Sequence, residues 1–194
     1  TMTKETWLDI ARVAWQYFQP GIVVDSTTGL PASSLGWNYF TDWDLGVYLQ
    51  AIIDAQKVGL ISKDGDWGST VRIDKVLAFL ETRALNSTTR IPYWFYNVNK
   101  TGYLSQSSID LFDTGTLFVS LNNLKKFDSS FASRVDNFVH NVNRTNYGAL
   151  VPTIQQMNSS TSVYGYYCAS GFAFFWPNEL STVPITILNN IYNA

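Results

Sequence analysis

The sequence is poor in the residues that most reactive centres use. Its 194 residues include one cysteine, Cys168, and one histidine, His140. A single thiol excludes an internal disulfide framework. In its apolar helical setting it reads as a small core residue. A single imidazole argues against Ser-His-Asp and Cys-His catalysis and against multi-histidine metal sites. His140 shares a helical pattern with Asp136 and Asn137 and is expected to be solvated.

Charge is scarce as well. Charged residues make up 14% of the chain, against about 25% in ordinary globular domains. The net charge is −2, and the largest basic cluster is the pair Lys125-Lys126, so nucleic acid and anionic lipid are not expected partners. No apolar run reaches the roughly 18 residues that span a bilayer. The sequence does not open on a basic segment followed by a hydrophobic one, as expected of a processed chain. Phosphate-cradling glycine loops are missing, and no cofactor is implied. Asp64-Gly65-Asp66-Trp67-Gly68 begins like a calcium loop. Ser69 then stands where glycine is needed and Lys75 where the final glutamate belongs, so no metal site is expected.

Aromatic residues are abundant, at 15%, with 7 Trp, 11 Tyr and 12 Phe. Four Asn-x-Ser/Thr triplets, at Asn86, Asn99, Asn143 and Asn158, fall in loops or helix ends where a glycan could sit. With the low charge, they favour an extracellular or cell-surface protein.

Helical periodicity dominates the pattern. Trp7, Ile10, Ala11, Ala14 and Phe18 form one stripe, ending near Pro20-Gly21. A long connection over 22–40 follows. Leu45, Tyr48, Leu49, Ile52 and Ala55 form a second stripe, stopped at Val58-Gly59-Leu60-Ile61 by a glycine suited to the left-handed residue past a helix. Further stripes are Ile73 to Ala84, Leu117 to Leu124, Phe131 to Val142, and Tyr164 through Tyr167 and Cys168 to Phe175. A last one starts near Thr182 with Pro184 in its first turn. A short aromatic segment near 92–98 reads as extended. The expectation is a mainly α chain of about seven helices in stacked hairpins, one α/α-hairpin domain over 1–194. Segments 41–61 and 110–127 share an acidic start and a Leu-rich stripe, consistent with two equivalent hairpins.

Asp44 and Asp113 fall in the first turns of two such helices. There a carboxylate can simply cap free N–H groups and meet the positive end of the helix dipole. Alternatively, two carboxylates facing one cleft can hydrolyse a glycoside, one as acid and the other as base or nucleophile. A helix N-terminus favours the ionised form, which suits a base or nucleophile. The acid would then come from Glu179 or Asp110. Asp42, two residues before Asp44, would point away from it. Trp37, Tyr39, Trp43, Trp94, Tyr96, Tyr164 and Tyr166 sit in loops or at helix starts, either stacking on sugar rings or packing beneath the loops.

The order of several short motifs carries a resemblance. They are Thr28-Gly29-Leu30, Trp43-Asp44-Leu45-Gly46, Tyr48-Leu49 and Val58-Gly59-Leu60-Ile61. Tyr96, Thr101-Gly102, Ser108 with Asp113-Thr114-Gly115 and Leu117, and the run from Tyr164 to Phe172 continue the series. Over roughly 7–176 the chain resembles the domain-of-unknown-function 3131 family, which is similar to glucoamylase-like α/α-toroid proteins. The resemblance implies a partial or compact α/α toroid and a link to polysaccharides at or outside the cell envelope.

Two functions fit these features. One is an extracellular glycoside-hydrolase-like domain that binds or cleaves a polysaccharide or oligosaccharide with Asp44 and Asp113. The other is a non-catalytic, glycosylated subunit of a surface layer or filament, whose aromatic surface serves self-association.

Overall fold

In the computed structural model, residues 1–104 and 110–194 are described, and short polar side chains explain where half of the α-helices begin. Thr3 caps α1 (Lys4–Trp15) and Ser162 caps α7 (Val163–Phe175). α2 (Asp42–Lys57) opens on a reciprocal cap: Thr41 Oγ1 accepts from Asp44 N, and Asp44 Oδ2 accepts from Thr41 N. This satisfies two amides that the first turn leaves without partners. The helix stops at Gly59, whose φ is +81°, and the Leu60 N–H reaches back to the Ala55 carbonyl. The glycine stop expected there is borne out.

The remaining helices are α3 (Ser69–Thr82), α4 (Leu111–Phe127), α5 (Ala132–His140), α6 (Val151–Gln155) and α8 (Val183–Asn193). The fold is mainly α, with a small antiparallel sheet in the order β1 (Tyr39–Phe40), β2 (Phe95–Asn97), β3 (Tyr103–Leu104). β2 is the expected extended aromatic segment. Ser108 and Ile109, part of the second acidic motif, lie outside the described residues.

Three helices form a row with α4 in the middle. Gly46 of α2 lies against Leu117, its carbonyl accepts from Ser120 Oγ, and Gln50 one turn on accepts from Asn123. On the other side the Leu111 carbonyl meets Cys168, Gly115 meets Cys168 and Gly171, and Phe118 meets Phe172 and Phe175. Contacts advance together along both pairs, so α2, α4 and α7 run parallel. α3 returns antiparallel to α2, with Arg72 reaching Tyr48 and Arg83 reaching Asp42. α8 likewise returns beside α7, its Asn190 meeting Ser160. Segments 41–61 and 110–127 are therefore equivalent neighbours, as their shared pattern suggested.

Glycines set the spacing of this row. A Cβ on Gly115 would lie 2.4 Å from the Cys168 Cα, and one on Gly171 would overlap the Gly115 carbonyl. Only hydrogen at both sites lets the two backbones touch. One hydrophobic cluster fills the space between the row and the outer helices, including Leu45, Leu49, Ile73, Leu77, Leu121 and Phe172. Cys168 belongs to it, with its thiol pushed up to about 12 by burial, as the core reading required.

The structure departs from the sequence pattern at three places. The first stripe is covered only in part: Phe18 packs against the core and Tyr48, but Trp7 is 59% exposed and Ile10 is also open, while Trp15 turns inward instead. Val142 is exposed because α5 ends at His140, two residues short of the expected stripe. α6 is a five-residue helix between short 3₁₀ turns, too brief for its periodicity to register. Among the described residues no helix is long and apolar enough to cross a membrane.

Candidate functional site

The parallel row brings the N-termini of α2, α4 and α7 to one end of the molecule. Three positive helix ends converge there, and four aspartates lie among them. Each has a different environment.

Asp42, at the first position of α2, is only 4% exposed. Arg83 grips it in a forked pair, Nη1 to Oδ1 at 2.6 Å and Nη2 to Oδ2 at 3.3 Å, and Thr114 Oγ1 donates to Oδ2 at 3.0 Å. Arg83 Nη2 also donates to Tyr147 Oη. Burial opposes the guanidinium charge, but Asp42 outweighs it and the Arg83 pKa is raised. This buried network joins the start of α2 to the end of α3 and the first turn of α4. It leaves Asp42 no free proton-transfer role. Asp42 points inward while Asp44 turns back on Thr41, the divergence expected of residues two apart.

Asp44 Oδ2 accepts from both the amide and the hydroxyl of Thr41. The capping reading is therefore correct for this residue. Its Oδ1 bonds no protein group among the described residues.

Asp113 is different, because Asp110 has taken the cap of α4. Asp110 Oδ1 accepts from the amides of Phe112 and Asp113, so among the described residues no backbone N–H donates to the Asp113 carboxyl. Its one donor among them is Trp94 Nε1, 3.2 Å from Oδ2. Burial raises the Asp113 pKa to about 7, with further upward pressure from Asp110, Asp42 and Asp44 and partial relief from Trp94. The expectation that its helix position keeps Asp113 ionised is corrected: desolvation and neighbouring negative charge outweigh the dipole. Glu179 is not brought to this end. It follows α7 at the far end of a helix about 20 Å long, beside His140.

The aromatic residues divide as sharply. Trp94 stacks on Phe95, and Trp43 meets Tyr164 edge to face. Trp37 packs on Tyr39 and Phe95 while staying open to solvent. Tyr96 does not belong with them: its ring is buried against Phe40 and Phe79, and its hydroxyl donates to the Ala84 carbonyl. Strand alternation sends it inward between Phe95 and Asn97. Tyr166 leans on the core. Tyr167, which the sequence placed in the buried stripe, instead lines an apolar groove of about 330 Å³ with Trp43, Val47, Thr116 and Val119. The groove starts one turn from Asp113 and runs along the exposed side of the row. Thr116 Oγ1 there is buried without a partner. Only the helix phase at 164–167 could have separated Tyr166 from Tyr167, and four aromatic or small residues in succession blur it.

A family model described as a protein of unknown function, DUF3131, matches residues 9–175. The chain belongs to that family. Within the DUF3131 match lie Asp44, Asp110, Asp113 and the aromatic residues around them from Trp37 to Tyr167, whereas Glu179 falls beyond it. No curated protein and no solved structure matches the chain. The DUF3131 description carries no activity, so the chemistry must be argued from the geometry. Among the described residues no group of three or more acidic, histidine or cysteine side chains could hold a metal ion. Three of the four sequon asparagines, Asn99, Asn143 and Asn158, are exposed, and Asn86 is half-buried with its Oδ1 accepting from Thr88 and Thr89 amides.

Proposed function

We propose that this DUF3131 chain is an arc of an α/α toroid that binds and cleaves a polysaccharide outside the cell or at its surface. The observation that carries the reading is Asp113. It is a half-buried carboxyl with a pKa near 7, touched by an exposed Trp94, one helical turn before Thr116 of the apolar groove. A carboxyl protonated near neutral pH can donate to a leaving glycosidic oxygen. Asp44, whose charge raises the Asp113 pKa, is the second carboxyl, with Oδ1 left to direct a water or attack the sugar. Trp94, Trp43, Tyr164 and Tyr167 offer ring faces for pyranoses. In this reading Asp113 is the acid, and neither Glu179 nor Asp110 is needed.

The test is release of reducing ends from a panel of neutral polysaccharides. Wild type should release them, and Asp113→Asn and Asp44→Asn should not. Undiminished cleavage by both variants would remove these residues from the mechanism. A second reading, a non-catalytic surface subunit, draws on the uncovered α1 face, where Val13 is 72% exposed beside Trp7 and Ile10. It requires concentration-dependent assembly that Trp7→Glu and Val13→Glu abolish. A chain that stays monomeric at high concentration contradicts it.

A further inference from the structure

A second hollow lies at the opposite end of α2, about 24 Å along a 16-residue helix. Its volume is about 600 Å³, larger than the groove beside Asp113. Arg12, Trp15, Ser62, Asp64, Trp67 and Arg72 line it, together with Gly68 at the start of α3. These are the residues of the failed calcium loop and their neighbours.

Arg72 is the unusual member. It is 1% exposed, yet among the described residues no carboxylate pairs with it. Nε donates to the Trp67 carbonyl at 2.7 Å, and Nη1 donates to the Phe18 carbonyl at 2.9 Å and to Tyr48 Oη at 3.0 Å. All three acceptors are neutral, because burial pushes the Tyr48 phenol up. Among the described residues Nη2 donates to no protein group. The guanidinium is sandwiched instead, 4.8 Å from the Trp15 ring centre and 5.3 Å from that of Trp67. Burying a cation is costly without a counter-charge, and neutral acceptors and ring faces offset only part of that cost.

Further positive potential points the same way. The start of α3 has no side-chain cap and no acid in its first turn, although the Ser69 and Thr70 amides donate to the Ser62 and Lys63 carbonyls. Lys75 lies over the Trp67 ring, and Arg12, paired with Asp9, stands at the rim. Trp15 Nε1, in the ring beside the guanidinium, is buried with no partner among the described residues. Asp64 is the one carboxylate among the lining residues and makes no ion pair with Arg72.

We infer that this hollow is a binding site for a small oxyanion, seated on Arg72 Nη2 between the Trp15 and Trp67 rings. The shared chemistry is a carboxylate, sulfate or phosphate group accepting from a guanidinium N–H. An acidic sugar and a free inorganic anion could each supply it. The site is independent of Asp113 and of any hydrolytic role.

The experiment is titration of the ¹⁵N-labelled chain with glucuronate, sulfate and inorganic phosphate. Glucose and chloride at matched ionic strength serve as controls. The indole N–H signals of Trp15 and Trp67 should move saturably with at least one oxyanion below about 10 mM, ten times a millimolar dissociation constant. Saturation by glucuronate alone assigns an acidic sugar, and saturation by sulfate or phosphate assigns a free anion. Arg72→Met should weaken the response at least tenfold. If that variant does not fold, Arg12→Gln at the exposed rim should weaken it several-fold in a folded chain. No saturable shift with any of the three anions, or an equal shift with glucose, overturns the inference.

Discussion

Replacing Asp113 by asparagine should stabilise the fold at alkaline pH while abolishing cleavage. In the native chain the Asp113 pKa stands near 7, against an ordinary 3.8. The folded state therefore binds a proton that the unfolded state has released between about pH 4 and 7. Stability falls as pH rises through that window, and the full penalty is present above 7. A shift of that size corresponds to about 4 kcal/mol if it were felt without screening, at 1.36 kcal/mol per pH unit. The carboxyl is only half-buried, so solvent reduces this to about 1–2 kcal/mol. Asparagine keeps the shape and removes the charge. Urea denaturation at pH 4 and pH 8 measures the effect, since a stability change moves the midpoint at constant slope. The variant should match wild type at pH 4 and exceed it by about 1–2 kcal/mol at pH 8. Cleavage should fall by about 10²–10⁴, the usual contribution of general acid catalysis. An asparagine variant less stable than wild type at pH 8 would refute the raised pKa, and with it the assignment of Asp113 as acid.

Other consequences follow from the same contacts. Trp94→Phe removes the donor that favours the Asp113 carboxylate, so the alkaline limb of the pH–rate profile should move upward. A limb that moves down or stays put contradicts the pairing. Arg83→Met leaves Asp42 buried without its partner and should cost about 3–5 kcal/mol in urea or thermal unfolding; a loss under 1 kcal/mol would mean the network is solvated. Gly115→Ala forces a methyl against the Cys168 backbone and should cost about 3 kcal/mol through overpacking, read as a lower Tm. Tyr167→Ala should weaken polysaccharide retention in affinity electrophoresis and leave Tm nearly unchanged. Tyr96→Ala should instead lower Tm by opening the core, and equal effects of the two would erase the distinction between groove and core.

Local order was readable wherever it depended on neighbours in the chain. Asp44 marks a first helical turn, Gly59 a helix end, and the spacing from Leu45 to Ala55 a buried face. All three hold. The shared pattern of 41–61 and 110–127 anticipated two equivalent hairpins, because parallel neighbours in one row need the same inward stripe. Periodicity was misleading for α1, whose apolar stripe meets little besides the turn that follows it. It said nothing about α6, which is too short to show a period. At 164–167 the dense aromatic run hid which ring faces the groove.

The sequence by itself determined the mainly helical class, the helix ends, the low charge and the lack of a disulfide or multi-histidine centre, since each depends on residue type or on separations within one helical turn. Only the tertiary structure decided that Asp42 is locked to Arg83 and that the Asp113 carboxyl is desolvated beside Trp94. It also left Arg72 buried without a counter-charge. Protonation and exposure depend on desolvation and through-space charge. Here those come from segments tens of residues apart that meet only when α2, α4 and α7 align.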